Sequence, residues 1–140
     1  MYGKILLAYD GSVEGRLALR EGAQLARLCG AEVFLLAVVN LSAGIVMAEG
    51  AAPGAAEHQQ IAYSEVLDEG VEQLKAMGFT PTHRLEFGDP ASRIAAVARE
   101  INAGLVVVGH RQQSAFARWW RGSVGASLHE QLSCSLLIAQ

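Results

Sequence analysis

Two periodicities take turns along this chain. Runs of consecutive apolar, often β-branched residues alternate with segments whose apolar residues recur every three or four positions. The first pattern reads as strands buried on both faces, the second as helices with one apolar face. Lys4 to Asp10 is apolar until its terminal acid and predicts a first strand. Asp10-Gly11-Ser12 then turns the chain, with Ser12 placed to cap the next helix. Over Val13 to Cys29, Gly15, Ala18, Leu19, Gly22, Leu25, Ala26 and Cys29 share one helical face, small enough to lie close to a sheet. Gly30 ends that helix.

Glu32 to Asn40 predicts a second buried strand. Leu41 to Ala56, rich in Gly and Ala, reads as an irregular insertion; its Ile45, Val46 and Met47 suit a flap, a partner surface or a loop packed on its own body. A helix from Glu57 to Met77 sets Tyr63, Val66, Leu67, Gly70, Val71, Leu74 and Met77 on one face. Pro81 to Phe87 alternates polar and apolar, as an edge strand does. Asp89-Pro90 supplies an N-cap and a first-position proline for a helix with Ile94, Val97, Ala98 and Ile101 inward. Leu105-Val106-Val107-Val108-Gly109 is a fourth strand. A basic loop, a helix from about Ser123 to Leu132 and a last strand, Ser135 to Ala139, complete the order.

Strands alternating with helices predict an α/β fold: an open five-stranded parallel sheet with helices on both faces. Right-handed crossovers leave few topologies. In the order 3-2-1-4-5 the winding reverses between strands 1 and 4, and ligands bind such folds in the crevice at that point. The converging strand ends carry Asp10-Gly11 and Gly109-His110.

Composition narrows the function. The 140 residues suit a single domain, residues 1–140, and about half of them are hydrophobic. A formal net charge of −3 argues against general nucleic-acid binding. No window reaches the apolar length of a membrane span, and Met1-Tyr2-Gly3-Lys4 leads straight into a strand, so a cytoplasmic protein is expected. Cys29 and Cys134 form no CxxC pair and read as buried thiols. The four histidines lack metal-site spacing, so no metal site is expected.

The chemistry concentrates between Gly109 and Val124. Strand, loop and helix N-terminus in that order hold anions, because the first helical N–H groups and the helix dipole face the ligand. Arg111, Arg118 and Arg121 add positive charge, and no acid intervenes. Each residue has an ordinary alternative. Asp10 could bond only its own turn, Gly122-Ser123 could be a plain cap, and the arginines could be a solvated loop. His110 reads as a hydrogen-bonded loop residue ahead of a phosphate contact or base. Trp119 and Trp120 read as core or dimer contacts ahead of base stacking.

These segments resemble the universal stress protein family along nearly the whole chain. The similarity is carried by Ile5-Leu6-Leu7-Ala8-Tyr9-Asp10-Gly11-Ser12, Gly30 to Val39, Gly88-Asp89-Pro90, Val106-Val107-Val108-Gly109 and Gly122-Ser123-Val124. The resemblance implies a 3-2-1-4-5 sheet of the adenine nucleotide alpha hydrolase-like kind and a homodimer paired through the last strands. Nucleotide-binding members carry G-x2-G-x9-G-[ST], which falls here on Gly109, Gln112 and Gly122-Ser123. Gln112 replaces the second glycine, and either donates its amide to phosphate or fills the space. Ser135 likewise replaces the proline usual after the cysteine. By the same carry-over Asp10 meets the ribose and the Val38 backbone the adenine, while Gly109, Gly122, Ser123 and Val124 hold the phosphates of ATP or AMP. Arg111 and Gln112 flank them, and Mg²⁺ is a companion of ATP if the triphosphate binds.

Three functions compete. The leading one is a stress-associated regulatory module that binds an adenine nucleotide and contacts an unidentified protein partner. A slow ATPase or phosphotransferase has little support: no GxxxxGK[ST] is present, the two lysines are Lys4 and Lys75, and no catalytic residue is assigned. The third is an interaction protein of the same fold whose phosphate site Gln112 blocks.

Overall fold

The computed structural model of the chain describes residues 1–40, 55–109 and 128–140. Its elements are β1 (Lys4–Ala8), α1 (Val13–Cys29), β2 (Glu32–Asn40), α2 (Ala55–Ala76), β3 (Thr82–Gly88), α3 (Pro90–Glu100), β4 (Leu105–Gly109), α4 (Leu128–Gln131) and β5 (Ser135–Ala139). The strands form one sheet in the order β3-β2-β1-β4-β5, and every pairing is parallel, as the alternating pattern predicts. β1 lies at the centre, in register with β2 from Lys4–Glu32 to Ala8–Leu36 and with β4 from Ile5–Leu105 to Leu7–Val107.

Strand alternation divides the core in two. Ile5, Leu7 and Tyr9 face α1 and α2, packing with Leu19, Leu35, Leu67 and Leu74. Leu6 and Ala8 face the opposite layer, with Leu36, Val106, Ile94 and Leu128. Fully burying each such leucine contributes ~1.5–3 kcal/mol, so both faces of the sheet are strongly committed. The small-residue face of α1 works as predicted. A Cβ on Gly22 would run into the Leu7 side chain, so a larger residue would force Leu7 or the helix to shift.

The predicted caps are in place. Ser12 Oγ accepts the Gly15 N–H at 2.9 Å, and Gly30, with φ +64°, turns the chain out of α1. Asp89 Oδ2 accepts the Ser92 N–H at 3.0 Å, with Pro90 at the first position of α3.

Three expectations need correction. β1 ends at Ala8 instead of Asp10, because the chain leaves the ladder to make the Gly11 turn. α2 begins at Ala55, taking two residues from the expected insertion. Both cysteines are half-buried free thiols, because Cys29 is the last residue of α1 and Cys134, though packed against the Leu6 cluster, sits in the bend just before β5. The start of the last helix, the remainder of the insertion and Trp119 and Trp120 lie outside the described residues.

Candidate functional site

At the carboxyl edge of the sheet the strands end at different heights. The last rung between β1 and β2 is the Tyr9 N–H donating to Leu36 O at 2.9 Å. β2 and β3 continue together to the Asn40–Gly88 pair. Alternate residues of a parallel strand aim their backbone polar groups at alternate neighbours. Leu36 addresses β1, so Val38, two residues on, addresses the same side beyond the end of β1. Among the described residues no backbone bond joins Val38 to β1. Its side chain is buried, leaving the backbone N–H and C=O as its polar offering to a ligand.

Asp10 is half-buried beside this step. Its Oδ1 accepts the Ser12 N–H at 2.9 Å and the Ser12 hydroxyl at 2.5 Å, so it does bond its own turn. Both bonds fall on one oxygen. Among the described residues Oδ2 accepts none. Gly11 has φ +80°, and Val66 of α2 closes over it, with Cγ2 3.0 Å from where a Cβ would stand.

Gly109 brings the end of β4 against the first turn of α1. A Cβ there would stand 2.6 Å from the Glu14 carbonyl oxygen and 2.9 Å from the Gly15 nitrogen. Glycine at this position is therefore required by packing as well as by any phosphate. α2 lines the other side. Tyr63, half-buried and packed on the core, lies near enough to Asp10 that the carboxylate adds to burial in raising the phenol's pKa. Deeper in, buried Tyr9 joins Arg16 and Glu69, which bridge α1 to α2 at 3.0 Å; burial is the leading cause of Tyr9's raised pKa.

This fold, an open parallel sheet in the order 3-2-1-4-5, has counterparts among known proteins. The model described as "Universal stress protein family" matches residues 1–140. The chain belongs to that family. A universal stress protein of Synechocystis sp. is 26% identical over 151 residues, covering 99% of this chain and 98% of that one. Among solved structures, a universal stress protein in complex with cAMP aligns with TM-score 0.74 at 22% identity, covering 99% of this chain and 97% of the other. The universal stress protein of Archaeoglobus fulgidus in complex with dAMP aligns with TM-score 0.72 at 21% identity, over 99% and 98%. At these identities the structural likeness speaks for the fold.

In this universal stress protein the structure thus brings Asp10, Val38 and Gly109 to one edge. Arg111, Gln112, Gly122, Ser123 and Val124 lie outside the described residues, as do His110, Arg118 and Arg121. Sequence reasoning missed Tyr63 as a site residue, counting it with the core face of α2. Its hydroxyl on an otherwise aliphatic face was the available signal. A separate hollow of about 550 Å³ opens at the amino-terminal edge, between Lys4, Glu32, Phe34, Thr80 and Glu100. Its charges pair among themselves and with Arg84: Lys4 with Glu32 at 3.7 Å, Arg84 with Glu100 at 2.6 Å. Among the described residues no group of His, Cys, Asp or Glu could hold a metal ion, and no helix is long and apolar enough to cross a membrane.

Proposed function

We infer that this universal stress protein binds an adenine nucleotide, ATP or AMP, at the carboxyl edge between β1 and β4, and acts as a stress-associated regulatory module. The observation that carries this reading is the step in the sheet. Among the described residues it leaves the Val38 backbone unbonded to β1 and Asp10 Oδ2 without a donor, both at the point of strand reversal. Family members of the same fold crystallised with cAMP and with dAMP support it. In this reading Val38 receives the adenine and Asp10 the ribose. Gly109, Gly122, Ser123 and Val124 surround the phosphates, with Arg111 and Gln112 beside them and Mg²⁺ accompanying ATP.

Residues 1–140 serve as one domain of a cytoplasmic homodimer joined through β5, whose Leu136, Leu137 and Ile138 stay partly exposed at the sheet margin. Light scattering on wild type and Leu137→Lys tests that pairing. A binding role is favoured over an enzyme because neither lysine is at the site. Lys4 stands at the opposite end of β1, paired with Glu32, and Lys75 near the C-terminus of α2.

The deciding experiment is titration calorimetry of wild type and Gln112→Gly with ATP, AMP and adenosine. Micromolar binding by wild type is the expected result. Binding by Gln112→Gly alone would mean that the glutamine closes a pocket the scaffold still builds, which favours the interaction-protein reading. Silence from both refutes nucleotide binding here.

A further inference from the structure

The polar groups lining the ribose side of this edge are more than Asp10. Tyr63 stands one helical turn before Val66, so the two share a face of α2, and Val66 is the residue that closes over Gly11. This fixes the part of α2 carrying Tyr63 against the Asp10–Gly11 turn. Tyr63 is half-buried, and its aromatic ring packs against the cluster formed by Tyr9, Leu67 and their neighbours. A tyrosine phenol is neutral near pH 7, and burial first and the Asp10 charge second raise its pKa further, so it offers a neutral O–H that can both donate and accept. Among the described residues its hydroxyl makes no hydrogen bond, and Asp10 Oδ2 likewise accepts none. Two polar groups of unlike character therefore stand at the Asp10–Gly11 turn, unused among the described residues: an acceptor-only carboxylate oxygen and a hydroxyl that can donate. A pair of adjacent hydroxyls on a ligand matches them, one donating to Asp10 and the other accepting from Tyr63.

We propose that Tyr63 is a sugar-specificity residue, reading one hydroxyl of the ribose cis-diol while Asp10 reads the other. The proposal rests on the nucleotide-binding reading above. It makes α2 a recognition element as well as a packing one. It also means that this chain prefers ribonucleotides to either deoxy form.

Calorimetry with AMP, 2′-deoxy-AMP and 3′-deoxy-AMP on wild type, Tyr63→Phe and Asp10→Asn tests this. Wild type should bind AMP about five- to tenfold more tightly than either deoxy analogue, the worth of one neutral to charge-assisted hydrogen bond at a half-buried site. Tyr63→Phe should lose that preference against one analogue and keep it against the other. Asp10→Asn, whose amide oxygen can still serve the Ser12 turn, should show the reverse pattern. Melting temperatures of both variants check that the fold is kept. An equal loss for all three ligands in Tyr63→Phe would make Tyr63 a packing residue and overturn the proposal, as would no loss at all. If wild type binds none of the three, the nucleotide reading itself has failed. If wild type binds AMP and both deoxy forms alike, nucleotide binding stands and the sugar-reading role of Tyr63 falls.

Discussion

Replacing Gly109 by alanine separates what the fold requires from what a ligand requires. The added methyl would stand 2.6 Å from the Glu14 carbonyl oxygen, 2.7 Å from its carbon and 2.9 Å from the Gly15 nitrogen. Ordinary heavy-atom contact begins near ~3.5 Å, so β4 and the first turn of α1 would have to separate by almost ~1 Å. All three atoms are backbone, so no rotamer change relieves the clash. Val107, two residues back, is in register with Leu7 of β1 and fully buried, which prevents the strand from simply sliding away. Overpacking of this kind costs about 1–3 kcal/mol, and the unyielding backbone places Gly109→Ala at the upper end, about 2–3 kcal/mol. For a domain of this size that lowers Tm by roughly 6–12 °C. The assay is thermal and urea unfolding of ligand-free protein, with Gly3→Ala as the control. Nothing lies within 4 Å of a Cβ on Gly3, so its change should stay within about 0.5 kcal/mol. If Gly109→Ala melts within ~1 °C of wild type, the close approach of β4 to α1 is wrong, and glycine at 109 answers only to a phosphate.

Three further outcomes follow from the geometry. Ser12→Ala removes the α1 cap and one of the two donors to Asp10, and should cost about 1–2 kcal/mol in urea unfolding. Glu100 is held below the ordinary carboxylate pKa by the Arg84 guanidinium that bonds it, so its contribution is present above the ordinary carboxylate range and lost as pH falls through the lowered value. An NMR titration of Glu100 should therefore midpoint low in wild type and return to the ordinary range in Arg84→Gln. The Tyr63 phenol should ionise later than an exposed tyrosine, with Asp10→Asn removing the smaller, charge-derived part of the delay. Its contribution to stability is complete below the ordinary phenol pKa and is lost as pH rises through the elevated folded value; ultraviolet absorbance at alkaline pH reads both.

Much of the fold was legible because its signals are local. Apolar runs such as Val33–Val39 and Leu105–Val108 announce strands buried on both faces, and Ser12, Gly30 and Asp89-Pro90 mark helix ends within a few residues of where they act. The meeting of Asp10 with Gly109 also followed, because parallel connectivity dictates where a sheet reverses. What escaped was set by contacts between residues distant in sequence. Nothing near Gly109 betrays that the Glu14 carbonyl crowds it, and the motif reading credits the glycine wholly to phosphate. Tyr63 obeys the helical period of α2 as well as Leu67 or Val71 does, so periodicity files it with the core. Its nearness to Asp10 exists only once α2 lies across the Gly11 turn. The end of β1 was read two residues long because Tyr9 continues the apolar run and still makes the last rung to β2, while the turn at Gly11 already takes the chain out of the strand.

The unequal strand ends imply a pattern in time as well as in space. β2 runs four residues past its last partner in β1, a ledge of about 13 Å at the usual rise per residue. Along that ledge alternate amides have different fates, for Ala37 and Val39 address β3 while Val38 addresses the step. Hydrogen–deuterium exchange of the free protein should therefore alternate from one residue to the next, with Val38 opening faster than both neighbours although its side chain is as deeply buried as theirs. A single strand would then carry its own internal standard: occupancy of the edge would slow one amide and leave the two beside it unchanged.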